Sequence, residues 1–173
     1  MKKVLLILVA VIAVQAAAVS HASERFNILL TGGPGNDAIQ IKVSGDGRSY
    51  LIDSVFGPLE APLGICEHRE GKENALICEA AAVASFEVNA GAGNDNVNIS
   101  PKVPVPVTLR GGPGDDRLLG GAAADKLIGG SGADFLYGRG GNDWLYGGPG
   151  DDRLLGGPGN NTYFGGSGNN QVG

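Results

Sequence analysis

From Gly111 to Gly173 an apolar residue returns at every ninth position, with an acid or amide two residues before it. The apolar series is Leu118, Leu127, Leu136, Leu145, Leu154, Tyr163 and Val172. The polar series is Asp116, Asp125, Asp134, Asp143, Asp152, Asn161 and Asn170. Each nonamer opens on glycine, as in GGPGDDRLL at 111–119 and GGSGADFLY at 129–137. Glycine suits a sharp turn, because it tolerates positive φ and close backbone approach. The last three residues of each unit suit a short strand. Side chains alternate along a strand, so position eight points inward and positions seven and nine outward. One unit cannot bury its own leucine, but stacked units can. The period therefore predicts an all-β array over residues 111–173, which a flexible Gly-rich linker would not need.

Residues 23–110 read as an irregular β-rich part. Phe26 to Leu30, Ser49 to Ile52 and Phe86 to Val88 are candidate strands, joined by turns such as Ser44-Gly45-Asp46-Gly47. Glu79 to Ala84 is the best candidate for a short helix. Two outlying copies of the repeat turn stand here. Gly32 to Asp37 precedes Ala38-Ile39-Gln40-Ile41, and Gly91 to Asp95 precedes Asn96-Val97-Asn98-Ile99.

Residues 1–22 have the anatomy of a secretory signal peptide. Lys2 and Lys3 precede an apolar run from Val4 to Val14, and Ser20-His21-Ala22 supplies small residues for cleavage before Ser23. The alternative is a membrane anchor, for which the run is short. No second long apolar segment follows. Cleavage removes two lysines and no acid, leaving 11 basic and 18 acidic side chains, a net charge of −7. That balance disfavours nucleic acid and anionic membranes as partners and favours cations. The expected location is extracellular or periplasmic.

The nonamers resemble the RTX, or haemolysin-type, calcium-binding repeat of secreted bacterial proteins. The resemblance implies a parallel β-roll, or β-solenoid, in which two repeats make one coil. Turns 18 residues apart then lie on one edge and hold Ca²⁺ between them. Calcium takes six to eight hard oxygen ligands. The resemblance implies that one turn offers the carbonyls of its second and fourth residues, and the next those of its first and third, with an Asp from each. One site would use Gly112, Gly114 and Asp116 with Gly129, Ser131 and Asp134. A second would use Gly130, Gly132 and Asp134 with Gly147, Pro149 and Asp152. On the opposite edge Gly121, Ala123 and Asp125 would meet Gly138, Gly140 and Asp143. Ala123 departs from the fourth-position glycine, which puts this third site in doubt. Asn161 and Asn170 keep an oxygen but lose a charge, so sites pairing them with Asp143 and Asp152 should be weaker. Asp95 lies one coil plus three residues before Asp116 and could pair with it, Val105, Val107 and Leu109 supplying the intervening half-coil. Asp37 lies 58 residues further back.

Metal should control folding of such an array. Carboxylates stacked about 4.8 Å apart repel by roughly 1 kcal/mol even in bulk water. Ordering nine residues costs on the order of 10 kcal/mol, whereas one inward side chain contributes roughly 1.5–3 kcal/mol. Calcium ligation is expected to supply much of the difference.

Cys66 and Cys78 are the only cysteines. In an exported chain they should pair, closing a hairpin around Gly71-Lys72-Glu73-Asn74. A zinc site with His68 is the alternative, although a fourth ligand is not evident. Phe135 and Tyr137 are expected on one outer face between Arg117/Leu119 and Arg153/Leu155, and Trp144 and Tyr146 on the other. Either arginine stems cover these rings, or they form a face for a protein or polysaccharide. There is no HExxH and no GxSxG. The chain thus reads as a non-enzymatic calcium-binding structural or interaction protein. The alternatives are a calcium-dependent module of a secreted enzyme and an adhesin or matrix component.

Overall fold

The computed structural model describes residues 25–54 and 65–173. The expected signal peptide, residues 1–22, lies outside them. The fold is all-β, and its parallel strands stack with an 18-residue repeat.

The chain alternates between two sheets that face each other across a thin apolar core. Strands β1 (Phe26–Thr31), β6 (Val83–Asn89), β8 (Val107–Pro113), β10 (Lys126–Ser131), β12 (Trp144–Pro149) and β14 (Thr162–Ser167) form a six-stranded parallel sheet in that order. Strands β2 (Ala38–Val43), β7 (Asn96–Ile99), β9 (Arg117–Leu119), β11 (Phe135–Tyr137), β13 (Arg153–Leu155) and β15 (Gln171–Val172) form the second sheet, also parallel. Each strand of the first sheet runs through a Gly-rich turn into its partner in the second.

The register places like on like. Leu109 pairs with Leu127, Leu127 with Leu145, and Leu145 with Tyr163. Val97, Leu118, Leu136, Leu154 and Val172 form the facing ladder. The five ladder leucines from Leu118 to Leu154 are 0 % exposed. The ladder opens at its far end, where Val172 is 54 % exposed.

The N-terminal part joins the same two sheets. β1 pairs with β6, and β2 with β7, in parallel register. Its strands bury two residues each, such as Ile28 and Leu30 or Ile39 and Ile41, where each repeat buries one. Between β2 and β6 the chain inserts β3 (Ser49–Ser54), β4 (Cys66–Arg69) and β5 (Lys72–Glu79), which extend the second sheet antiparallel. Tyr50 packs edge-on against Phe86 at 5.0 Å, so this extension shares the core. The outer strand β4 carries Glu67 and Arg69, and Arg69 bonds Asp53 at 3.0 Å. Charge on an edge strand discourages further pairing.

A disulfide joins Cys66 to Cys78 across the β4–β5 pair, around a turn at Glu70-Gly71. The zinc alternative is set aside, because both thiols are consumed. The helix expected over Glu79 to Ala84 is only a 3-10 turn at Ala80–Ala82. Ala80 N–H bonds Arg48 O at 2.8 Å and the chain returns to extended backbone at Val83, so the tertiary hydrogen bond outweighs the local preference of alanine for helix.

The loop between β7 and β8 breaks the 18-residue period by three residues. It is anchored by Val103, which is buried and accepts a hydrogen bond from Ala122 N–H at 3.1 Å. Val107, at the start of β8, takes the place of an acid, because its N–H donates to Asp125 Oδ1 as Asp125 N–H donates to Asp143 Oδ1.

Candidate metal centre

The turns align in two columns, one along each edge of the roll. The first column holds Asp37, Asp95, Asp116, Asp134, Asp152 and Asn170. Each contributes a backbone N–H to the side-chain Oδ1 of the next, at 2.7–2.9 Å. The second column holds Asp125, Asp143 and Asn161, bonded in the same way at 2.9 Å. Separations along the first column are 58, 21 and then 18 residues. The insertion and the odd-length loop therefore leave the column continuous.

Six of these nine side chains differ sharply from ordinary surface acids. Asp95, Asp116, Asp125, Asp134, Asp143 and Asp152 are at most 2 % exposed. One oxygen of each is engaged by the column. The other oxygen, Oδ2, has no hydrogen-bond partner in Asp95, Asp116, Asp134, Asp143 and Asp152. A buried carboxylate oxygen without a partner is costly. A hard cation would remove that cost.

Burial raises the proton affinity of these groups. Desolvation pushes Asp116 up to about 6, and Asp125 and Asp134 up to about 7, against the lowering effect of their N–H donors. Asp95, Asp143 and Asp152 are raised for the same first reason. Neighbouring acids in the column add to the rise at Asp116 and Asp134.

The space beside each opening glycine has the shape of an ion seat. A carbon added to Gly111 would press on Asp116 Oδ2 and lie 2.6 Å from Gly129 O. One added to Gly129 would press on Asp134 Oδ2 and lie 2.8 Å from Gly147 O. So a carboxylate oxygen of one turn and the first carbonyl of the next converge on one small space. The remaining oxygens expected from the sequence are those of Gly112, Gly114 and Ser131 in the first seat and of Gly130, Gly132 and Pro149 in the second. They belong to turns in direct register, with Gly112 beside Gly130 and Pro113 beside Ser131. Among the described residues no cluster of three or more His, Cys, Asp or Glu side chains is present. The donor set is therefore one or two carboxylates with backbone carbonyls, which suits calcium and not zinc.

The second column differs. There Asp125 N–H donates to Asp143 Oδ1 and Gly140 N–H to Gly121 O at 3.4 Å, while a carbon on Gly141 would press on Ala123 O. However, Asp125 Oδ2 already accepts Gly121 N–H at 2.6 Å. Arg139, at φ 75°, sends its guanidinium to Ile99 O, to Gly120 O at 2.9 Å and to Asn98 Oδ1 at 3.0 Å.

Sequence reasoning missed a second polar column at position five. Asn94 N–H donates to Asn36 Oδ1, Asp115 N–H to Asn94 Oδ1, and Ala133 N–H to Asp115 Oδ1, at 2.8–3.0 Å. This column runs opposite in direction to the first, so adjacent turns are zipped both ways. The signal was present in Asp115, Asn142, Asp151, Asn160 and Asn169, which stand at position five of five of the seven nonamers.

The fold is a parallel β-roll whose turns bring carboxylate and carbonyl oxygens together along both edges. Residues 108–136 and 137–172 match the RTX calcium-binding nonapeptide repeat. This segment is therefore a run of RTX repeats, which imply calcium binding and occur in secreted bacterial proteins. No curated protein and no solved structure matches the chain.

Proposed function

We propose that this is an extracellular, non-enzymatic calcium-binding protein whose roll is completed by several Ca²⁺ ions and serves a structural or interaction role. The observation that carries the reading is the set of buried aspartate Oδ2 atoms without partners, stacked between turns in register. Calcium there would satisfy the orphaned oxygens and cancel the repulsion within each column. Ligation of the folded state alone stabilises it by linkage. The basic, apolar and small-residue order of residues 1–22 supports export, and export supports the disulfide. Among the described residues no helix is long and apolar enough to cross a membrane. The strongly shifted carboxyls all belong to the turns, which argues for ligation over acid–base catalysis.

The test is circular dichroism of residues 23–173, first calcium-free and then titrated with Ca²⁺, with Mg²⁺ as control. A cooperative gain of β signal with Ca²⁺ alone, together with calorimetric binding, is expected. An absence of bound calcium by calorimetry would overturn the reading.

A second reading, an adhesin or matrix component, has one observation in its favour. Trp144 and Phe164 are 49 % and 46 % exposed on the first sheet, and Phe164 stacks on Tyr146 at 4.6 Å. On the second sheet Arg117 instead covers Phe135 at 4.6 Å. An open cavity of about 570 Å³ beside Trp144 and Tyr146 also carries Thr108, Asp125, Lys126 and Asn142. Quenching of Trp144 fluorescence by oligosaccharides would support this reading, and unchanged fluorescence across a glycan panel would remove it.

A further inference from the structure

Seven spaces separate successive acid-headed turns along the two edges: five in the column from Asp37 to Asn170 and two in the column from Asp125 to Asn161. We propose that calcium fills only four of them, those headed by Asp116, Asp134, Asp152 and Asp143, and that the chain's own atoms close the other three. The inference rests on the calcium-binding reading and assigns its sites.

The four open spaces share two features. Their heads carry a buried Oδ2 without a partner. Their turns also open on glycine, at Gly111, Gly129, Gly147 and Gly138, so nothing but hydrogen stands against that oxygen. In the third of these spaces the next turn presents Gly165 O, 2.5 Å from where a carbon on Gly147 would lie. The space is therefore bounded by oxygen even where the lower turn ends in Asn170. Asn170 and Asn161 still offer Oδ1 to the turn above, where it accepts the N–H of Asp152 and Asp143.

The closed spaces are closed in two ways. At the head of each column the carboxylate is bonded by its own turn. Asp37 Oδ2 accepts Gly33 N–H at 2.7 Å, and Asp125 Oδ2 accepts Gly121 N–H at 2.6 Å. The equivalent residues Gly112, Gly130 and Gly148 have φ of 117–126°. Gly33 and Gly121 lack that left-handed backbone, and their N–H groups turn onto the carboxylate instead. At Asp125 the Arg139 guanidinium also holds the first carbonyl of the turn, Gly120 O. That carbonyl and Ile99 O lie on the side of the preceding turn, so Arg139 fixes the Asp125 turn from above and the closure itself rests on the Gly121 N–H.

The remaining space, headed by Asp95, is closed by a methyl group. Asn89 pairs with Arg110, and Ala90 N–H donates to Arg110 O, so Ala90 is the register equivalent of Gly111. Its Cβ occupies the seat that Gly111, Gly129 and Gly147 leave empty. Asp95 Oδ2 is likewise buried without a partner, but by this register a methyl group stands where the other turns leave room for an ion.

The last turn of each column carries an amide in place of the acid. The Asn161 amide donates to Gly157 O at 2.9 Å, and the Asn170 amide reaches Gly166 O at 3.4 Å. Those are second-position carbonyls, which an ion in a following space would need. Asparagine thus receives an ion from the turn above and passes none on.

Native mass spectrometry and calorimetry of the full chain after leader removal, titrated with CaCl₂ from a calcium-free buffer, count the ions. Four per chain are expected. Ala90→Gly should raise the count to five, Asp143→Asn should lower it to three, and Asp125→Asn should leave it at four. Circular dichroism of each calcium-loaded variant shows that the roll is intact. A wild-type count of seven, or loss of an ion in Asp125→Asn, overturns the assignment. So does an unchanged count in a folded Ala90→Gly. Should that variant fail to fold, the contrast between Asp125→Asn and Asp143→Asn still decides. A wild-type chain that binds no calcium overturns the underlying reading instead.

Discussion

Asp116 N–H donates to Asp134 Oδ1 at 2.8 Å, across 18 residues of sequence and one step of the roll. The bond ties the backbone of one turn to the side chain of the next, so the acid serves the fold as well as the ion. Replacement separates the two duties. Asp134→Asn keeps the Oδ1 acceptor, and Asp134→Ala removes it and leaves a buried N–H unsatisfied, which costs about 1–3 kcal/mol. At saturating calcium the melting temperature should therefore fall further in Asp134→Ala than in Asp134→Asn. Both should need more calcium for half-saturation. Thermal melts at saturating calcium and calcium titrations separate the two effects.

Acidity should act in opposite directions on the empty and the loaded roll. Burial raises Asp116 to about 6 and Asp125 and Asp134 to about 7, from 3.8 when unfolded. A raised carboxyl binds its proton more tightly in the folded chain. That stabilisation is fully present below pH 3.8 and is lost as pH rises through 6 to 7. Without calcium the β signal of the roll is thus expected to be larger at pH 4 and to fall toward pH 7.5. Calcium affinity should rise over the upper part of that range, because the ion must displace those protons. Calcium-free circular dichroism independent of pH would contradict this.

The glycines are not interchangeable. Gly114 has φ 137°, and a side-chain carbon there would collide with Gly93 O of the turn above. Nothing lies within 4 Å of the equivalent position on Gly35. Gly114→Ala should abolish the calcium-induced gain of β signal, and Gly35→Ala should leave it intact.

Leu136 is fully buried between Leu118 and Leu154. Leu136→Ala should cost about 2–5 kcal/mol, read from denaturant unfolding of the calcium-loaded chain. Reduction of the Cys66–Cys78 bond, which spans 12 residues, should cost roughly 3 kcal/mol in the N-terminal part. Calcium stoichiometry should not change on reduction, because the bond lies away from the turns.

The ladder of leucines was legible because strand side chains alternate and a nine-residue unit puts the same position inward each time. The pairing of Asp95 with Asp116 was legible for the same reason, once the three extra residues were placed in a loop. The stacking of Asp37 on Asp95 was not fixed by its 58-residue separation, since an insertion of any length can leave and rejoin a sheet. The states of Asp125 and Ala90 were also hidden. They depend on the direction of one N–H and on one methyl group, and no periodicity reports either.

The roll carries a further problem that its own regularity creates. Residues 111–119 and 147–155 are identical. Near-repeated units hold their phase weakly, because a slide by a whole coil sets leucine on leucine and aspartate on aspartate over most of the array. The loop before β8 removes that freedom. Its odd length and the buried Val103 fit one place only, so it works like the missing tooth on a timing wheel. The irregular stretch supplies the origin from which every later coil is counted, and shortening it by three residues would turn one native stack into several of nearly equal energy.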